Sequence, residues 1–323
     1  MPSVNGTWRR WLLWGAVLLF LALLLRAGWR FPWRTTWGVV VAADPALLFA
    51  AMVVGFLTFF AKGWGWHLLL RPLAPHRWWV AQEANLLGAA ANNISVAVIG
   101  EAVRVRRIVL AGPVPVGPAV ASVFWARAVE AVGLALFVLS APLFVELPAV
   151  LQGAEMAAAI ILSVLVALFW FRRWTALPAA FPAPFRRAVE LVSQVGPWRR
   201  LIGPVGLAYV NWLGQWASFH LAIVATGIEA PGAASLAAVL VTNLGGMLRL
   251  TPANVGVMQA GFVAALLPFG VPAADAIAAS LLLQAAQIAP VMAFALSVFG
   301  WGGLRDTVTR AQRDTVAPVP ASD

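Results

Sequence analysis

The 323-residue sequence contains no cysteine, which excludes disulfides, thiolate metal sites and thiol catalysis but leaves the compartment open. Charged residues make up only 11% of it, against about 25% in a soluble domain. Its three histidines, His67, His76 and His220, are scattered along the chain, which argues against a histidine-based metal site. The glycines form neither a dinucleotide-binding fingerprint nor a phosphate-binding loop, no aspartate-rich metal motif is visible, and no soluble stretch is long enough to fold alone. What the chain does have is apolar residues, 62% of the total, with a mean hydropathy of +0.87. It therefore reads as a polytopic membrane protein. Net charge is +10, and 21 of the 22 basic residues are arginine. The arginines sit in short loops between apolar runs, where they set topology and meet anionic headgroups, so nucleic acid is not the expected partner.

Residues 11–25 follow Arg9 and Arg10 and form an apolar run with no small-residue cleavage site after it, which predicts an uncleaved first helix rather than a removed signal. Arg26, Arg30 and Arg34 alternate with Trp29, Trp33 and Trp37, the pattern of an interfacial belt. Asp44 followed by Pro45 predicts a helix start that runs to about Leu70. Residues 78–111 are unusual: two apolar segments, each shorter than the roughly 20 residues a span needs, flank Asn92, Asn93 and Gly100. A helix–break–helix hairpin that enters the membrane and returns fits them, and such backbone requires a protein or water-lined surround. Residues 116–144 and 150–171 read as spans. A basic, proline-bearing stretch follows, then a span over 201–226 carrying Asn211, Gln215 and His220, whose polar groups are expected to bond between helices. Residues 233–248 and 255–267 form a second broken pair around Arg249, Thr251, Pro252 and Asn254. A last span, 275–299, precedes a polar tail, 301–323, expected to fray.

Placing the basic loops inside gives six full spans with both termini cytoplasmic, and only the loop over residues 26–34 violates the rule. The halves also match. From Pro115 to Arg127 and Glu130, and from Pro272 to Gln284 and Gln287, the steps are the same, 12 residues and then 3. Each half, about 37–144 and 200–300, reads as span, broken hairpin, turn, span, with opposite starting sides. This predicts an all-α membrane domain of six spans and two re-entrant hairpins in an inverted repeat, the common architecture of secondary transporters.

These residues resemble the lysylphosphatidylglycerol synthase transmembrane family, the flippase-like membrane domain. The resemblance rests on Asn92 and Asn93 leading to Gly100, Glu101 and Arg104, then on Arg127 and Glu130, then on Pro252, Gly256 and the Gly270-Val271-Pro272 turn. It runs from about Asp44 to Phe299. It implies movement of a lipid between leaflets. The soluble domain that makes the family's aminoacylated lipid is absent here, so the substrate does not carry over. Two departures matter. The family's C-terminal glutamate and arginine are Gln259 and Gln284, a paired loss that leaves no orphaned charge, and Val96 stands where a proline is common.

A charge inside a membrane segment costs roughly 2.5–3.5 kcal/mol on insertion scales, so it marks a site or a pathway. Glu101 with Arg104, and Arg127 with Glu130, are i,i+3 pairs that share a helix face. They can lock the hairpin to the next span, or the arginines can hold a phosphate while the carboxylates hold a cation or proton; both roles can coexist. Arg106 and Arg107 are expected to face cytoplasmic headgroups. Glu83 and Asn85 either line the cavity or sit at the interface. The expected substrate-binding set is Asn92, Asn93, Glu101, Arg104, Arg127, Glu130, Arg249, Asn254, Gln259 and Gln284, with no catalytic residue, cofactor or metal. The expected function is a transporter for a membrane lipid with an anionic headgroup in the cell membrane. The alternatives are a non-transporting partner of an envelope-synthesis enzyme, or a lipid-modifying enzyme using Glu101 and Glu130.

Overall fold

The structure is a computed structural model that describes residues 29, 31–95, 99–112, 114–171, 199–247 and 251–316. The expected first span, the loop at 172–198, Val96 and Arg249 lie outside the described residues. Within them the protein is all-α, with no strand. The helices are α1 (Trp33–Ala42), α2 (Pro45–Leu70), α3 (Trp78–Ile94), α4 (Ile99–Ala111), α5 (Val116–Ser140), α6 (Ala149–Phe171), α7 (Arg199–Ala225), α8 (Gly232–Gly246), α9 (Val257–Leu266) and α10 (Ala273–Val316).

Asp44 starts α2 as its sequence position requires. Its Oδ1 accepts hydrogen bonds from Ala46 N at 2.8 Å and Leu47 N at 3.1 Å, satisfying two of the donors a helix leaves open at its first turn. Among the described residues, four helices are long and apolar enough to cross a membrane: Pro45–Leu70, Val116–Leu143, Pro252–Phe269 and Ala273–Gly303. The third of these is the second limb of the C-terminal broken pair, which reaches 18 residues once the 3₁₀ turns at both ends of α9 are included. Helix α7 forms as expected, but its arginines, Asn211, Gln215 and His220 lower its hydropathy, and it is not among the four. Phe49, Leu57 and Ile160 are among many large apolar side chains left exposed, the exposure of a protein whose solvent is lipid.

Helices α2 and α7 pack against each other along their length and run antiparallel. Asp44 N donates to Ala225 O at 2.8 Å, Ser218 Oγ donates to Ala51 O at 2.8 Å, and Gly214 meets Thr58. Small residues at Gly55, Gly65, Gly203 and Gly214 allow this approach. Both helices touch α5 and α10.

Each broken segment is an antiparallel helical hairpin. In the first, α3 and α4 bring Gly88 against Gly100 and Arg104, and Asn92 Oδ1 accepts from Gly100 N at 2.9 Å, capping the start of α4. In the second, α8 and α9 bring Gly245 against Val257 and Thr242 against Gly261. The 3₁₀ turn Pro252–Asn254 of the second hairpin rests on α3 of the first. A methyl group at Gly88 would lie 2.6 Å from the Gly100 carbonyl oxygen and closer still to the Arg104 side chain. Gly88→Ala is therefore expected to destabilise the protein by about 1–3 kcal/mol by overpacking the first hairpin, measured as a lower melting temperature in detergent.

Residues 301–316 do not fray as their polarity predicts, while the rest of the expected tail, 317–323, lies outside the described residues. Gly300, with φ of 62°, breaks α10, and the chain then stays helical to Val316. Val308 and Ala311 are buried in one cluster with Leu86, Leu87 and Val103 of the first hairpin and Val291 and Ala295 of α10. Val308 and Ala311, three residues apart on one helix face, are the side chains through which this segment joins the cluster.

Candidate functional site

A cavity of about 620 Å³ lies between the two hairpins and the helices α2, α5, α7 and α10. That volume falls within the range of small-molecule sites. From the first hairpin it is lined by Asn92, Asn93 and Glu101, and from α5 by Arg127. The second hairpin contributes Thr242, Asn243 and Asn254, and α10 contributes Gln284 and Gln287. Gln215 of α7 and the rings of Phe59 and Phe219 complete much of the wall.

Behind Arg127 runs a chain of five alternating charges drawn from three helices. Arg104 donates to Glu101 at 3.0 Å. Arg127 bonds both Glu101 and Glu130, the latter at 3.1 Å. Glu130 is also paired with Lys62 of α2 at 3.1 Å. The two i,i+3 pairs are thus one network, in which Lys62, Arg104 and Arg127 against Glu101 and Glu130 leave a surplus of one positive charge. Arg104 is 4% exposed, and its guanidinium lies 4.4 Å from the centre of the Trp66 ring. Its Nε and Nη2 have no hydrogen-bond partner among the described residues, so Glu101 and that ring are what hold it. Arg127 differs, with 46% of its side chain exposed. It is the basic member of the chain that lines the cavity.

Of the expected residues, Asn92, Asn93, Glu101, Arg127, Asn254 and Gln284 meet around the cavity. Arg104, Glu130 and Gln259 stand one residue behind its wall, reaching it through Glu101, Arg127 and Gln284. Glu83 and Asn85 are not cavity residues. Both are buried, because Glu83 pairs with Arg107 at 2.6 Å and Asn85 donates to Phe59 O at 3.0 Å. Arg107, expected to face headgroups, is held by that pair and by the Phe299 ring. On α7, the trio of polar residues divides: His220 bonds Ser235 of α8 at 2.9 Å, whereas Gln215 lines the cavity. The histidines are less scattered than their spacing implies, since His67 and His76 touch at 2.9 Å. Lys62 is the residue that the reading of charge missed. It is the one lysine of the chain and falls within the apolar run of α2, so the cost of intramembrane charge that singled out Glu101 applies to it equally.

The sequence model of the lysylphosphatidylglycerol synthase TM region matches residues 13–295. The chain belongs to this family. Comparison with curated proteins found no match. The second hairpin shows what replaces the charge pair noted above. Gln259 Nε2 donates to Gln284 Oε1 at 2.9 Å, Gln259 Oε1 accepts from Gly256 N at 2.6 Å, and Gln284 Nε2 donates to Ala253 O at 2.7 Å. Ala253 and Asn254 have positive φ, 52° and 56°, a conformation that costs a non-glycine residue on the order of 1 kcal/mol or more. The two glutamines clamp that turn without charge. Gln259→Glu alone places an unpaired carboxylate there, and Gln284→Arg alone an unpaired guanidinium. Each is expected to lower the melting temperature, and the double variant to recover most of the loss through a new ion pair.

Proposed function

We propose that this protein moves the phosphate-bearing headgroup of a membrane lipid between leaflets, with the headgroup in the cavity and the acyl tails outside it. The observation that carries this reading is Arg127: a half-exposed guanidinium on the wall of an amide-lined cavity, held by Glu101 beside it on the wall and Glu130 behind it. A planar guanidinium suits two phosphate oxygens at once. The cavity wall also includes Phe124 and Met247, each 76% exposed, apolar side chains against which acyl tails can lie.

The finer architecture in this reading is six spans, both termini cytoplasmic, and two re-entrant hairpins related by an inverted repeat. The antiparallel pairing of α2 with α7 supports it, because these are the helices that precede each hairpin. So does the exchange of contacts, in which α2 meets α10 as α7 meets α5. Transport is favoured over chemistry, since Glu101 and Glu130, the acids of the charge network, are each held by two basic side chains and are poorly placed to trade protons.

The test is leaflet exchange of fluorescent anionic phospholipid in vesicles containing the purified protein. Reduction of the dye by external dithionite beyond the outer-leaflet fraction supports transport. Reduction limited to that fraction, with folded protein, rejects it. A change in the lipid's mass would mark an enzyme instead.

A further inference from the structure

The two faces of the cavity differ in kind. The first hairpin and α5 present the charged Arg127 and Glu101 beside the amides of Asn92 and Asn93, whereas α7, the second hairpin and α10 present only neutral polar groups, amides and a hydroxyl. Among the described residues, the side-chain amides of Asn93, Gln215, Asn254 and Gln287 make no hydrogen bond, although all four line the cavity and are partly buried. None of their polar atoms is buried, so four amides that spend no hydrogen bond on the protein stand open to one space, where a ligand can take them up as partners. An amide both donates and accepts, which is what a hydroxyl needs from its partner. The rings of Phe59 and Phe219 supply apolar faces in the same space.

Charge narrows the ligand further. The network behind Arg127 carries a surplus of one positive charge, which balances one negative charge. Neither carboxylate is free for an added cation, since Glu101 is bonded by Arg104 and Arg127, and Glu130 by Lys62 and Arg127.

We infer that the headgroup this cavity takes is a singly charged phosphodiester bearing a neutral, hydroxyl-rich group such as a sugar or polyol, and not one bearing a cationic amine. The phosphodiester sits against Arg127 and the hydroxyls lie among the free amides. This rests on the reading of the cavity as a lipid-headgroup site, but it concerns which headgroup binds.

Binding and movement separate the two claims. Delipidated protein is offered an equal mixture of phosphatidylinositol, lysylphosphatidylglycerol and phosphatidic acid, and the retained lipid is read by native mass spectrometry. Phosphatidylinositol is expected to be retained about tenfold above either competitor. Gln215→Leu with Gln287→Leu is expected to bring the three near parity at an unchanged melting temperature. Gln287→Glu adds one negative charge and is expected to shift retention toward lysylphosphatidylglycerol, which serves if the double variant fails to fold. Lysylphosphatidylglycerol retained as well as or better than phosphatidylinositol by the unaltered protein overturns the inference. So does a preference that survives the double variant in folded form, or a Gln287→Glu variant with unchanged selectivity. The same three lipids are then followed by leaflet exchange. Selective binding without movement removes the transport reading and leaves this inference standing. Movement without selectivity does the reverse.

Discussion

Glu101→Gln is expected to destabilise the protein by about 3–5 kcal/mol, the largest loss of any single change at the site. Glu101 is the carboxylate on which both Arg104 and Arg127 converge. Arg127 is half exposed and keeps Glu130, so it tolerates the change. Arg104 does not, because it is 4% exposed and the Trp66 ring is the favourable contact it retains. A cation left in that position has neither water nor a counter-charge. The measurement is thermal unfolding in detergent. Adding Arg104→Leu to the same chain removes the stranded charge and is expected to recover much of the loss. If Glu101→Gln melts as the unaltered protein does, Arg104 is not held as described.

Arg127→Gln is expected to leave the fold intact and slow headgroup movement by about ten- to hundredfold, the loss of hydrogen bonds to a charged group. The contrast with Glu101 follows from the pairings. Without Arg127, Glu101 still has Arg104 and Glu130 still has Lys62. The network becomes two neutral pairs, and its positive surplus disappears. Arg127→Lys keeps the charge but not the planar fork, so partial activity is expected from it. Melting temperatures of all three proteins are expected to lie close together.

Much of this arrangement was legible in the chain itself. Asp44 and Pro45 announced the start of α2, and Asn92, Asn93, Gly100 and Pro252 marked the breaks, because amides and glycine compete with helix while proline interrupts it. The i,i+3 spacing of Glu101 with Arg104 and of Arg127 with Glu130 predicted pairs that do form. What spacing along a helix cannot supply is a partner from another helix. Lys62 reaches Glu130 from α2, Arg107 reaches Glu83 across the first hairpin, and Glu101 reaches Arg127 between α4 and α5. Helix packing sets these contacts. The docked C-terminal limb escaped for a related reason, since Val308 and Ala311 become meaningful only beside the apolar face that Leu86, Leu87 and Val103 offer. The clamp of Gln259 on Gln284 was half visible: the paired loss of charge pointed to contact, but the strained turn they hold was not.

The most direct test of the account is dithionite-read leaflet exchange of an anionic phospholipid in vesicles containing either the unaltered protein or Arg127→Gln, at equal protein density and matched melting temperature. The account predicts that the unaltered protein exposes inner-leaflet lipid to the reductant and that Arg127→Gln exposes far less. Equal exchange by the two folded proteins would contradict it, because the guanidinium on the cavity wall would then have no part in carrying the headgroup.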